Sequence, residues 1–215
     1  MNRMIRITLE VVAIWAALSL GVGVAWAQTG SDRFPQLTKE TLNEEQRRVA
    51  AEITKQSSSG IGGPWNVMLR SPEMADRLTK LLDYLRFKTS LPLRLNELAI
   101  MITARHWSSQ YEWWSHHRYA KKAGLSEAMM ADLAQGKRPE GMQPDETAVY
   151  DFCTEMDQKH FVSDATFKMT KDAFGEKGVV DLIGVMSWYQ MVSMLLNTDR
   201  YPLPDGVQPE LKPLN

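Results

Sequence analysis

Cysteine is almost absent from this chain, because only one of the 215 residues, Cys153, is a cysteine. An intramolecular disulfide is therefore excluded, and so is a dithiol redox cycle within one chain. Cys153 ends the segment Val149–Cys153, for which we predict a helix that buries the thiol as a small apolar side chain. A reactive thiol would need a cationic neighbour, and the surrounding sequence offers none.

A surplus of one charge sign is also missing. The sequence has 25 basic and 26 acidic side chains, and its formal net charge is -1 at pH 7. This balance lacks the basic footprint of a nucleic-acid-binding protein. Runs of alternating β-branched residues, which are typical of strands, are missing as well. We therefore predict an all-α protein that binds no nucleic acid.

The N-terminal residues have the layout of a secretory signal peptide. Arg3 and Arg6 precede the uncharged apolar run Val11–Ala25, and Ala25-Trp26-Ala27 offers small residues for cleavage before Gln28. The alternative is an uncleaved membrane anchor. We expect residues 1–27 to be removed and the protein to be periplasmic or secreted, without membrane contact after cleavage. We expect no later segment to be apolar enough to cross a bilayer.

The rest of the chain is long enough for one domain with a sizeable core, which we place at residues 28–206. Pro202 and Pro204 exclude a helix near its end, and residues 207–215 are expected to form a loose tail. Before that, capping residues, prolines and apolar periodicity predict a helical bundle with the last helix at its centre. The predicted helices are 46–54, one from Ser71-Pro72-Glu73, 95–105, 109–123, 126–136, 145–159, 163–174 and 179–197.

A segment of ten residues, 108–117, carries the strongest indication of function. Ser109, Glu112 and His116 are spaced so that a helix places them on one face. A hydroxyl, a carboxylate and an imidazole on one face indicate a proton-transfer site. The neighbouring Tyr111, Trp113 and His117 are predicted to contact the substrate.

Each of these residues also has a structural interpretation. Ser109 and Glu112 match a capping box, in which they would only satisfy the first amides of their own helix. A metal site would need Glu112, His116 and a third ligand such as His106, but no ligand spacing here forms a strong motif. We therefore expect neither metal nor cofactor.

Glu97 lies among apolar residues in the preceding helix. Burial beside a partner would make this carboxylate usable as a general acid or base. From sequence alone, however, the favoured interpretation is a surface carboxylate paired with Arg94 or Arg105.

Glu97, Ser109, Glu112 and His116 together resemble the active-site pattern of the carboxymuconolactone decarboxylase and alkylhydroperoxidase D superfamily. The resemblance extends over residues 45–206 and includes several flanking motifs. These are Gly63-Pro64, Ser71-Pro72-Glu73, residues 94–100, Tyr111-Glu112-Trp113, residues 123–126, residues 195–197 and residues 202–204.

The resemblance implies an all-α, alkylhydroperoxidase D-like bundle with a helix hairpin around the site, assembled into homo-oligomers from dimers to hexamers. The peroxidase branch uses cysteines where this chain has Ser109 and Glu112, so thiol peroxidase chemistry is excluded. In the decarboxylase branch, a lactone carboxylic acid loses carbon dioxide and a proton is delivered to the resulting carbanion or enolate. His116 matches the histidine of that branch.

We therefore predict a lyase-like enzyme that transfers protons on a small carbonyl or carboxylic acid compound, by decarboxylation, lactone opening or isomerisation. His116 would be the general acid or base, and Glu112 would orient it. Glu97 would be a second proton relay, and Ser109 would donate a hydrogen bond to a substrate oxygen. The alternative is a non-catalytic binding or oligomeric scaffold that kept the fold after losing the redox cysteines.

Overall fold

The computed structural model describes residues 33–212, and within this range the chain is all-α, with eight helices and no strand. The predicted fold class is thus confirmed at the level of an all-α bundle. The predicted signal peptide, residues 1–27, lies outside the described residues. The helices are α1 (Glu44–Gln56), α2 (Pro64–Met68), α3 (Pro72–Phe87), α4 (Leu93–His106), α5 (Gln110–Ala123), α6 (Glu127–Ala134), α7 (Pro144–Lys159) and α8 (Asp164–Asp199).

Local sequence signals set most helix ends as predicted. The Asn43 side chain accepts a hydrogen bond from the Gln46 amide at 2.8 Å, and the Gln46 side chain accepts one from the Asn43 amide at 2.9 Å. This capping box starts α1. Proline follows the N-cap of α3, and Gly124 ends α5 with a φ of 101°, a left-handed conformation that glycine adopts without strain.

One element differs from the prediction. The short helix α2 follows the loop of residues 57–63 and was missed, because five residues are too few to show helical periodicity. The two helices predicted at 163–174 and 179–197 are both present; they are numbered together as α8 and are interrupted at Gly175, whose backbone is non-helical with a φ of 69°. Glycine adopts a positive φ without strain, so Gly175 can interrupt the helix at this point.

The length and composition of α8 also correct the expectation that no later segment could cross a bilayer. Asp164–Asp199 is long and apolar enough to do so, although 56% of its most apolar window is buried inside the fold. A core helix meets the same criterion, so this observation is weak evidence for a membrane span.

The most buried helix is α4 rather than α8. Every residue of α4 from Leu95 to Arg105 is buried, and the helix packs against α5, α7 and α8. Helix α8 is buried on one side only, and Val180, Ile183 and Met194 expose large apolar side chains. Because α4 is enclosed on several sides, any polar side chain on it must find a partner inside the fold.

The C-terminal tail is not loose over its described part. Leu211 is only 5% exposed, and its backbone amide and carbonyl bind the side chain of Gln110 at 3.2 and 2.8 Å. Glu210 accepts a hydrogen bond from the indole of Trp113 at 2.8 Å. Residues 210–212 thus dock onto α4 and α5, and the expectation of a loose tail was wrong for this segment.

Candidate active site

A helix hairpin formed by α4 and α5 builds the site. The two helices are joined through a sharp turn in which Ser108 has a φ of 47°. The chain reverses there, so the first half of α4 lies beside the middle of α5. Glu97 on α4 therefore contacts His116 on α5 in the interior of the fold.

His116 lies between two carboxylates. Its Nδ1 is 2.7 Å from Oε2 of Glu97, and its Nε2 is 3.2 Å from Oε1 of Glu112. The side chains of all three residues are 4% exposed or less. Each ring nitrogen therefore faces its own acceptor, which holds the ring in one orientation and favours a proton on both nitrogens.

The two carboxylates also decide the charge of His116. Burial by itself would lower the pKa of the imidazole, but the negative charges of Glu97 and Glu112 and their hydrogen bonds outweigh burial and raise the pKa to about 9. His116 is therefore an imidazolium at neutral pH. It can donate a proton to a bound molecule before it can accept one.

Arg86, near the end of α3, completes the charge balance. Its Nη1 lies 3.3 Å from Nε2 of His116, and its guanidinium stacks on the Tyr119 ring with a distance of 4.7 Å to the centroid. With His116 protonated, the two cations balance the two carboxylates. When Nε2 is deprotonated, Arg86 can donate a hydrogen bond to it, so the cluster has a good partner for either state of His116.

A cavity of about 210 Å³ opens onto this cluster. Its volume is below the range typical of sites for drug-sized ligands, so it suits a small molecule. Two of the polar side chains that line it from α5, Glu112 and His116, belong to the charge cluster. The other lining residues come from the loop after α1 and from α2, α3, α5 and α8, and they include Ser57, Ser58, Ser59, Trp65, Met68, Leu82, Arg86, Tyr111, Tyr119, Trp188 and Tyr189.

The structure brings three of the four predicted catalytic residues together. Glu97 is 2% exposed and binds His116, so the interpretation as a surface carboxylate was wrong. Its proposed partners are engaged elsewhere. Arg94 forms ion pairs with Asp145 and Glu146 of α7, and Arg105 donates a hydrogen bond to the backbone carbonyl of Lys212.

Ser109 is the exception among the four. Its backbone is the N-cap of α5, but its side chain makes no capping hydrogen bond, so the capping-box interpretation is wrong. The hydroxyl is buried and has no hydrogen-bond partner within residues 33–212. Ser109 is also not among the described residues that line the cavity, so it is not positioned to donate to a substrate there.

The three residues expected to contact the substrate are divided between two sides of α5. Tyr111 lines the cavity. Trp113 and His117 instead bind Glu210 of the tail, at 2.8 and 2.9 Å, and neither belongs to the described lining of the cavity. The reason is helical geometry, since the residue next to His116 points about 100° away from it.

His106 was considered as a third metal ligand with Glu112 and His116. It lies in the last turn of α4, where its Nδ1 is 4.0 Å from Asp157, so it does not join them. No group of three candidate ligands forms anywhere between residues 33 and 212. Cys153 is fully buried, as predicted, and burial raises the pKa of its thiol well above the ordinary value.

Two residues of the site were missed at the sequence level, Arg86 and Tyr189. Arg86 is a basic residue in the last turn of α3. Basic residues are common at that position because they interact favourably with the helix dipole, so its place in the sequence offered no reason to assign Arg86 to a site. Tyr189 lies in an apolar helix rich in methionine, where core packing is the ordinary role of an aromatic side chain. Neither position has a spacing relative to Glu112 and His116 that could have indicated contact.

Comparison of the chain with models of protein families and with curated proteins finds no match. Function must therefore be inferred from the side chains around the cavity.

Proposed function

We propose that the protein is an acid–base enzyme that transfers protons on a small carbonyl or carboxylic acid compound. The observation that supports this most directly is the chain Glu97–His116–Glu112, whose last two members face a cavity of about 210 Å³. Proton transfer needs an acid and a base on the same side of a sheltered space, within reach of one small molecule.

The roles follow from which groups reach the cavity. Glu112 is the base and His116, as an imidazolium, is the acid, because both line the cavity. Glu97 binds His116 from behind and lies outside the described lining, so it orients and charges the imidazole instead of touching the substrate. When His116 gives up its Nε2 proton, Arg86 is close enough to donate a hydrogen bond to the vacated nitrogen.

Decarboxylation, lactone opening and isomerisation can all be carried out by the base Glu112 and the acid His116. In each reaction the enzyme stabilises charge that appears next to a carbonyl group and moves one proton to or from carbon or oxygen. The resemblance of Glu97, Glu112 and His116 to the carboxymuconolactone decarboxylase and alkylhydroperoxidase D superfamily supports a lyase-like activity. A purely capping role of Ser109 and Glu112 would favour a non-catalytic scaffold, but the Ser109 side chain makes no capping bond.

The test is a screen of small lactones, ketones and acids, followed by two variants. Incubation in deuterated water with detection by proton NMR reports any carbon–hydrogen exchange as well as net turnover. We expect His116→Gln and Glu112→Gln each to lower the rate by roughly 10²–10⁴-fold. His117→Gln is the matched control, because this neighbouring imidazole binds Glu127 and Glu210 and should leave the rate unchanged. Unchanged rates in both site variants would refute the proposal.

Export and self-association are separate parts of the proposal. The N-terminal pattern supports secretion to the periplasm or beyond, and N-terminal sequencing of the exported protein should find Gln28 as its first residue. The family resemblance supports a homo-oligomer. Light scattering behind a size-exclusion column would measure its mass, and a monomer at all concentrations would contradict it.

A further inference from the structure

Tyr189 presents a hydroxyl group that the fold leaves unused. The side chain is 2% exposed and lines the cavity, and its ring packs edge-on against His116 with 5.0 Å between centroids. The hydroxyl is buried and makes no hydrogen bond of normal geometry among residues 33–212, and the only donor close enough to influence it in this part of the chain, Arg86, leaves the O–H proton of Tyr189 without an acceptor. An unpartnered buried hydroxyl is costly, and where it faces a cavity it indicates that an occupant supplies the partner.

Tyr189 is available as a donor and not as an anion. Burial raises the pKa of its phenol far above the ordinary value; the charge of Arg86 opposes this rise, and the carboxylates Glu112 and Glu97 add to it. The hydroxyl therefore keeps its proton at any ordinary pH. Arg86 is the second donor on the same wall, because its guanidinium also lines the cavity and has donors beyond the one near His116.

The charge of the cluster restricts the ligand. Arg86 and protonated His116 balance Glu97 and Glu112, so the cluster as a whole carries no net charge, although Glu97 lies behind the lining of the cavity. Glu112 lines the cavity and would repel a preformed anion. A neutral molecule has no such penalty. During reaction, a negative charge can still move from Glu112 to the ligand without changing the total charge of the buried site.

We propose that Tyr189 and Arg86 form an oxyanion-binding pair for the carbonyl oxygen of a neutral, enolisable ketone or lactone whose α-proton is removed by Glu112. This assignment rests on the proposed function and specifies its substrate class. In the step, the α-carbon–hydrogen bond breaks and its proton goes to the Glu112 carboxylate. The electron pair forms a carbon–carbon double bond, and the carbonyl π electrons move to the oxygen, which becomes an enolate. Return of the proton from Glu112 to another carbon completes an isomerisation.

The volume of the cavity agrees with this class. A cavity of about 210 Å³ is smaller than the sites typical of drug-sized ligands and suits one small ring with few substituents. The apolar part of the lining, including Trp65, Met68 and Trp188, suits the carbon skeleton of such a ring. The charged groups of the lining are Arg86, Glu112 and His116, and Tyr189 lines the same cavity.

The test uses 4-nitrophenolate as an enolate mimic, because its absorbance reports its ionisation and binding without any turnover. Glu112→Gln removes the repelling charge and imitates the base after it has taken the proton. We expect this variant to bind 4-nitrophenolate at least about tenfold more tightly than the wild type. Adding Tyr189→Phe should then weaken binding by roughly 10–100-fold, since a hydrogen bond to a charged oxygen is lost. Tyr150→Phe, outside this cavity, is the matched control and should change nothing.

Two outcomes would overturn the inference. One is equal binding of 4-nitrophenolate with and without the Tyr189 hydroxyl, and the other is no binding by Glu112→Gln. Stability provides a second check, because Tyr189→Phe removes a hydroxyl that has no partner and should leave the urea midpoint unchanged or higher. A clear loss of stability would mean that the fold already satisfies this hydroxyl and would also contradict the assignment.

These readouts separate the inference from the proposed function. Binding that depends on Tyr189, with no proton exchange on any carbonyl compound, would refute the proposed activity and leave the oxyanion-binding pair standing. Exchange that depends on His116, with binding that ignores Tyr189, would refute only the pair.

Discussion

Oε2 of Glu97 lies 2.7 Å from Nδ1 of His116, and this contact joins the buried helix α4 to the helix that faces the cavity. Both side chains are almost completely buried. Glu97 therefore contributes in two ways: it fixes the imidazole ring, and it supplies much of the negative charge that keeps the ring protonated.

The first prediction concerns Glu97→Gln. This change keeps the size of the side chain but removes the charge beside Nδ1, so the pKa of His116 should fall by roughly 1–3 pH units. An NMR titration of the imidazole signals measures it. Glu127→Gln is the matched control, because Glu127 pairs with the more exposed His117 and should leave the titration of His116 in place. An unchanged titration in Glu97→Gln would mean that Glu112 alone holds the proton.

The second prediction concerns stability at alkaline pH. The pKa of His116 is raised from 6.5 to about 9 in the folded state. The folded state therefore binds this proton more tightly than the unfolded state does. The resulting stabilisation is complete below the unfolded pKa of 6.5 and is lost as pH rises through about 9. The shift corresponds to about 3 kcal/mol of unfolding free energy.

Urea unfolding between about pH 7 and about pH 10 measures this loss. The wild type and His117→Gln should both lose about 3 kcal/mol over this range, since His117 is not the group responsible. His116→Gln should start lower and show a much flatter dependence over the same range. A wild-type stability that does not change with pH would contradict a proton held by His116.

The third prediction separates two N-cap residues. Asn43 forms a complete capping box with Gln46, whereas the Ser109 side chain makes no capping bond. Asn43→Ala should therefore cost about 0.5–2 kcal/mol of unfolding free energy. Ser109→Ala should change stability by less than about 0.5 kcal/mol, since it removes a buried hydroxyl without a partner within the described chain. Equal losses in the two variants, measured by urea unfolding, would mean that Ser109 does cap α5.

Local signals explain which part of the fold could be predicted from the sequence. A cap such as Asn43, or a glycine such as Gly124, acts on residues within one turn of itself, and its effect can be read without the rest of the chain. The same holds for Glu112 and His116, which are one turn apart on α5 and do meet in the structure. Ser109 was placed on the same face, but it precedes the first helical residue, so helical periodicity does not apply to it.

Contacts between distant segments could not be predicted in this way. Glu97 was assigned to the surface because a carboxylate in an apolar helix is stable there without any partner. Only the packing of α4 against α5 supplies the imidazole that allows its burial. Arg86 and Tyr189 reach the cavity from α3 and α8. Their positions depend on how those helices pack, and no spacing within one helix encodes that packing.

The fourth prediction concerns the docked tail, which the prolines correctly indicated to be non-helical but which packs against α5. Leu211 is 5% exposed, so Leu211→Ala should lower the unfolding free energy by about 1–3 kcal/mol. The loss should stay below that of a central core leucine, because the tail can detach while the bundle remains folded. Gln208→Ala, at an exposed position of the same tail, is the matched control and should cost less than about 0.5 kcal/mol.

Urea unfolding measures the stability of both variants. A red shift in the tryptophan fluorescence of Leu211→Ala before unfolding would report release of Trp113 from Glu210. If both variants are as stable as the wild type, residues 207–212 contribute nothing to holding α5 in place.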